Sequence, residues 1–198
     1  MKVLVDTDAF CKLASCGLLA PALQALGCSM ADARRLGALP FMVRRGSLAR
    51  QLGADLAAKI LKEVEQVPVA PEAPAAWLQL ILDAEADIDP GEAQLLAVAA
   101  DTPGCLLITG DKRALRCVHL VPGLAGALSG RVVTLEALMS HLCSRTTLMQ
   151  VKHQIQPVLF LDASLKACFS STDSLEGLAN YQEDLAREVT GGLLWEPP

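Results

Sequence analysis

Apolar and polar positions along the chain alternate in a way that separates short hydrophobic runs from amphipathic stretches. Lys2 to Val5 is an apolar, β-branched run that stops at Asp6, and "TDAFCKLASCGLL" then sets Phe10, Leu13, Ala14 and Gly17 on one helical face. This predicts strand, turn and helix, with Asp8 capping the helix by accepting from free N–H groups of its first turn. Further helices are expected over Pro21 to Leu26 and over "MADARRLGAL". "GSLARQLGADLAAKILKEVEQV" carries the clearest stripe, formed by Leu48, Leu52, Leu56, Ile60, Leu61 and Val64 behind a Ser47 cap. An extended spacer, "PVAPEAP", leads to helices at "AAWLQLILDAEA" and "DPGEAQLLAVAAD", the second with Pro90 in its first turn and Glu92 following.

Cys105 to Thr109 and Val132 to Thr134 read as two more strands, the latter running into the helix "LEALMSHLCS". Strands and helices alternating at these lengths predict an α/β fold, a three-layer α/β/α sandwich around a mainly parallel sheet. In such sheets the residues just past the carboxyl ends of the strands gather in one crevice. Asp6 and Asp111 both occupy that position. After Arg145 the pattern changes: "PVLFLDASLKACFSS" reads as a β-hairpin around Asp162 and Ala163. "TDSLEGLANYQEDLAREVTGG" reads as an amphipathic helix with an Asp173–Glu176 capping pair. The expected organisation is therefore a domain over residues 1–145 and a C-terminal extension over 146–198.

Composition narrows the picture. With 198 residues, 52% of them hydrophobic, the chain can bury one well-formed core and a small appendage. The longest uncharged run, Leu13 to Ala31, is interrupted by Gly17, Pro21 and Gly27, which argues against a transmembrane span and a membrane partner. An acid at position six truncates any signal-like apolar region, so the expected compartment is the cytoplasm. Seven cysteines without a C-x-x-C pair form neither a disulfide framework nor a zinc pattern; Cys11, Cys28, Cys105 and Cys168 are expected as buried reduced thiols.

The net charge of -5 is unevenly spread. Arg34, Arg35, Arg44, Arg45, Arg50, Lys59 and Lys62 crowd one segment against the single acid Asp55, whereas Glu63 to Asp111 holds ten acids and no Lys or Arg. Two solvated faces account for this. So does a carboxylate cluster needing a cation beside a basic surface needing an anion, as in a metal-dependent enzyme acting on phosphodiesters. Composition alone does not choose.

Four blocks in order resemble the PIN-domain family, whose members include VapC-type ribonucleases. "VLVDTDAF" looks like its opening strand, "GEAQLLAVAAD" like its acidic helix start, "LLITGDKRAL" like its Thr-x-Asp strand end and "GRVVTLEALMSHL" like its closing strand and helix. The resemblance spans roughly residues 2 to 145, as judged from the order of the blocks. It implies Mg²⁺- or Mn²⁺-dependent hydrolysis of RNA, or of DNA, by a toxin of a toxin–antitoxin pair. An antitoxin protein and a second copy of the chain would be its partners.

Carried onto this sequence, Asp6, Glu92 and Asp111 are the catalytic, metal-binding acids. Lys112, Arg113, Arg44 and Arg45 contact nucleic acid, and Asp8, Asp89 and Thr109 are accessory. The chemistry is consistent: carboxylates crowded in a crevice repel one another until a divalent ion neutralises them, and Mg²⁺ favours oxygen ligands. Plainer roles stand beside these. Asp8 and Asp89 suit a cap or a turn, Thr109 suits a strand end, and Lys112 and Arg113 suit a solvated turn.

One departure bears on activity. Where the family places another acid, this chain reads "PFMVRRGSLARQL", with no acid before Asp55. A catalytically degenerate PIN-like module that binds nucleic acid or protein is the alternative this favours. As an antitoxin covers the crevice of VapC-type toxins, an acidic helix over Asp173 to Val189 is expected to mask the basic surface in cis. A second alternative, a haloacid-dehalogenase-like phosphatase, takes Asp6 and Asp8 as nucleophile and general acid. The late motif of that family needs a further Asp that "GDKRALRC" lacks.

Overall fold

β1 (Val3–Val5) is three fully buried residues, and they set the rest of the molecule around them. Their side chains alternate, so Val3 and Val5 face one apolar layer and Leu4 the other. A strand buried on both faces belongs in the middle of a parallel sheet. The structure, a computed structural model, describes residues 2–45, 47–84, 87–170, 179–180 and 192–195. After β1 come α1 (Thr7–Ser15), α2 (Leu19–Ala25), β2 (Ala33–Arg34), α3 (Leu39–Arg44), α4 (Ser47–Val64), α5 (Ala75–Asp83) and α6 (Pro90–Asp101). β3 (Leu106–Thr109), α7 (Lys112–Cys117), α8 (Leu124–Leu128), β4 (Val132–Thr134), α9 (Leu135–Arg145), α10 (Leu148–Ile155) and α11 (Ala163–Ser170) follow.

The sheet has four strands, all parallel, in the order β2-β1-β3-β4. Val5 pairs with Ile108, and Thr109 with Thr134, so the strand ends are level. The chain moves from β1 to one side for β2 and crosses to the other for β3, which makes the β1/β3 boundary the topological switch point. Helices cover both faces. Phe10, Leu13, Leu138, Leu142 and Phe169 pack with Val3, Val5, Ile108 and Val133 on one, and Leu95, Leu96, Leu115, Leu124 and Leu128 pack with Leu4, Leu107 and Val132 on the other. Each fully buried side chain of this size contributes about 1.5–3 kcal/mol. The expected α/β architecture with helices flanking a parallel sheet is what the chain adopts. No helix among the described residues is long and apolar enough to cross a membrane.

Four local expectations are corrected. α1 begins directly at Thr7, so its N-cap is Asp6 and Asp8 falls within the first turn. Part of "MADARRLGAL" is the strand β2, whose Ala33 and Arg34 pair with Val3 and Leu4 rather than continuing a helix. The helix expected to run unbroken from Ser47 breaks at Gly53, whose φ of 72° and ψ of 169° are open to glycine and strained for other residues. The cap expected of Ser47 falls on a side chain outside the described ones.

The fourth correction concerns "PVLFLDASLKACFSS". It forms a 3-10 segment, Gln156–Leu161, and then α11, with no hairpin. Pro157 opens the 3-10 turn, and Asp162 accepts from the Leu165 N–H at 2.9 Å, acting as a helix cap where a hairpin would need a turn. Val151, Ile155, Val158, Leu165, Cys168 and Phe169 join the same apolar layer as α1 and α9. The helix expected over 172–192 lies almost wholly outside the described residues. Residues 193–195 return to the free side of β4: the Val132 N–H donates to Leu193 O and the Trp195 N–H to Val132 O.

Candidate active site

Asp6, Glu92 and Asp111 come from three places in the sequence to the carboxyl edge of the sheet at the β1/β3 switch point. Asp6 follows β1 directly, its N–H donating to Ile108 O at 2.9 Å. Its carboxylate accepts from the Thr7 N–H at 2.7 Å as the cap of α1. Glu92 is the third residue of α6 and completes a capping box: the Glu92 N–H donates to Asp89 Oδ1 at 2.8 Å and the Asp89 N–H to Glu92 Oε2 at 3.0 Å. Asp111 lies past the end of β3 and caps α7, with Oδ1 accepting from the Arg113 and Ala114 N–H groups at 2.8 and 2.9 Å. Its own N–H donates to Thr109 Oγ1 at 3.1 Å. Thr109 therefore fixes the Asp111 turn.

Asp6, Glu92 and Thr109 line one narrow cavity, floored by Leu95, Leu96, Leu107 and Leu115. The apolar floor explains the electrostatics. Burial, with the charges of Asp8 and Asp89, pushes the Asp6 carboxyl up to about 7 against the pull of the Thr7 and Asp8 N–H groups. Burial also pushes Glu92 up to about 8, and its hydrogen bond to Asp111 and the charges of Asp111 and Asp89 add to this. Burial acts upward on Asp111 too, but the Ala114 N–H, Glu92 and Arg113 outweigh it and hold that carboxylate low. The contact between the two carboxyls thus favours a proton on Glu92 over Asp111.

The other residues singled out in the sequence are placed unevenly about this centre. A Cβ on Gly110 would stand 3.5 Å from Asp8 Oδ2, which sets the Asp8 carboxylate against the turn between Thr109 and Asp111. Arg113 reaches Asp111 Oδ2 at 3.1 Å and Asp87 at 4.0 Å, and its side chain is otherwise exposed. Lys112 turns the other way, pairing with the fully buried Glu136 and donating to Ser164 Oγ at 3.1 Å. Arg44 and Arg45 are exposed at the end of α3, with Arg45 over the Phe41 ring at 5.7 Å. Arg35 leaves the basic surface altogether: buried, it donates to Val64 O and Leu36 O.

Sequence reading missed Lys12 and Asp162. Lys12 is buried on α1 and bonds both Asp8 and Asp162, the latter at 2.6 Å across 150 residues of sequence. No local pattern could have announced that pairing.

Oxygen is the donor chemistry on offer. Cys11, Cys28, Cys105 and Cys168 are buried and unbridged as expected, and burial pushes the Cys11 and Cys168 thiols up to about 12, out of reach of thiolate chemistry near neutrality. Carboxylate oxygen is the donor type that a hard divalent cation takes. As they stand, however, no three Asp, Glu, His or Cys side chains among the described residues are grouped to hold one ion. Among known proteins, no family model, curated sequence or solved structure matches this chain. What is shown of its affiliation is an α/β protein built on a four-stranded, all-parallel sheet.

Proposed function

We propose that the chain is a metal-dependent, PIN-like nuclease that hydrolyses phosphodiester bonds of RNA in the cytoplasm, with Asp6, Glu92 and Asp111 as its acids. The observation that carries this reading is the convergence of Asp6 and Glu92 on one apolar-floored cavity at the switch point, with Asp111 capping α7 beside it; burial raises the Asp6 and Glu92 carboxyls there. Asp6 and Glu92, buried above an apolar floor while Arg113 meets Asp111, leave carboxylate oxygen for a cation. Mg²⁺ or Mn²⁺ would supply Lewis acidity and orient water for in-line attack at phosphorus. The chain's own part is to hold the acids on helix caps, exclude bulk water with Leu95, Leu96 and Leu107, and present the exposed Arg113 to substrate phosphate. An antitoxin covering the crevice and a second copy of the chain are the partners this reading brings with it.

The test is Mn²⁺ titration together with cleavage of end-labelled RNA, for the wild type and for Asp111→Asn. Binding and cleavage that are both lost in the variant support the reading. Binding that is absent, or equal in the two proteins, overturns it.

A second reading has its own support. The absence, among the described residues, of three donors grouped for one ion, together with the Arg113 guanidinium on Asp111, favours a degenerate module that keeps the fold and binds without cutting. RNA binding that is unaffected by a chelator and by Asp111→Asn would select it.

A further inference from the structure

α3 is short, and its two sides differ in chemistry. Leu39 and Val43 are buried and anchor it in the core, whereas Phe41, Met42, Arg44 and Arg45 are exposed. Phe41 leaves 62% of its surface in solvent and Met42 39%. Residues three and four apart share a helix face, so Arg44 and Arg45 stand on the Phe41 side of α3, and the Arg45 guanidinium lies 5.7 Å from the ring centroid. α4 packs against α3 and adds the exposed Arg50. Among the described residues no acid pairs with Arg44, Arg45 or Arg50. Asp55, the single acid of this basic segment, comes after the break in α4 at Gly53.

This surface begins at the rim that carries the crevice. β2 runs parallel to β1, so the chain leaves it at the Asp6 end of the sheet and enters α3 from there. Leu36, between β2 and α3, meets the start of α6: a Cβ on Gly91, the neighbour of Glu92, would stand 2.8 Å from Leu36 Cδ1. Arginines by themselves attract any polyanion. A solvent-exposed ring among them favours a strand with unstacked bases, because a duplex keeps its base faces inside. We propose that Phe41 is a stacking platform for single-stranded RNA, with Arg44, Arg45 and Arg50 on the flanking phosphates. This rests on the RNA of the reading above, and the contact itself needs no metal.

The experiment uses the full chain in chelator and a labelled oligouridylate of about ten nucleotides, with binding followed by anisotropy. A fluorescent adenine analogue within the strand reports stacking through quenching. Phe41→Ala should weaken binding about fivefold or more and abolish the quenching. Phe41→Trp should restore both and Phe41→Leu neither; the side chain is exposed, so these substitutions leave the core alone. Arg44→Gln with Arg45→Gln should weaken binding and lower its salt slope by about 0.7 per arginine. Binding to a duplex of the same length should not respond to Phe41→Ala. A Phe41→Leu variant that binds and quenches like the wild type, a duplex that loses as much affinity as the single strand, or a wild type that takes no RNA overturns the proposal. So does a dimer that Phe41→Ala splits with no loss of RNA, which would make this face a contact between copies. RNA that is held through Phe41 but never cut in Mn²⁺ leaves the platform standing and removes the nuclease reading alone.

Discussion

Glu92 opens α6 and Asp111 caps α7, and the contact between their carboxyls raises the hold of Glu92 on its proton while helping to keep Asp111 low. A cation entering the crevice would displace that proton, so uptake near neutrality should release about one proton per ion. Calorimetry of Mn²⁺ binding in two buffers of different ionisation enthalpy measures it. Binding should strengthen as pH rises from 6 to about 8, through the raised values of Asp6 and Glu92. A pH-independent affinity would contradict this prediction.

Asp6 should destabilise the metal-free protein in alkali. Its carboxyl is pushed up from 3.8 to about 7 in the fold, so between those values the native state binds more protons than the unfolded chain. Stability therefore falls as pH rises across that window and levels off above it. Asp6→Asn removes the charge and keeps the cap on Thr7. It should raise metal-free stability at pH 8 by on the order of 2 kcal/mol, seen as a higher Tm in chelator, while abolishing Mn²⁺ binding. A lower Tm at pH 8 would contradict this.

Lys112 is expected to matter for stability more than for RNA contact. Its partner Glu136 is fully buried, and Lys112→Met would take a cation away from that carboxylate. A loss of about 3 kcal/mol in urea unfolding is expected, recovered in large part by adding Glu136→Gln. If Lys112→Met unfolds like the wild type but loses RNA, the residue faces substrate after all.

Gly53 holds the break in α4. Any Cβ at its φ of 72° is strained, although the space around it is open. Gly53→Ala should cost about 1–3 kcal/mol, read as a lower midpoint in denaturant with unchanged Mn²⁺ affinity.

The carboxyl edge of the sheet was legible because β1, β3 and α6 announce themselves locally: an apolar run that stops on an acid, and a proline followed by a capping pair. Those signals placed Asp6, Glu92, Thr109 and Asp111 correctly at the element boundaries. β2 gave none. Two residues, Ala33 and Arg34, are a strand only because Val3 and Leu4 pair with them. The apolar "VLFL" imitated a strand, and only the capping bond of Asp162 to Leu165 shows why the chain turns helical there. The Gly53 break escaped periodicity, which registers faces and is blind to a single dihedral. Lys12 and Asp162 escaped because a buried ion pair between distant positions leaves no trace in either neighbourhood.

Residues 193–195 lie along β4 and satisfy the backbone of Val132, which would otherwise offer bare donors and acceptors to any passing strand. These bonds cover part of the free edge of β4. Shortening the protein ahead of Leu193 should reveal itself first as turbidity and aggregation, with chemistry at the opposite rim of the sheet a separate matter.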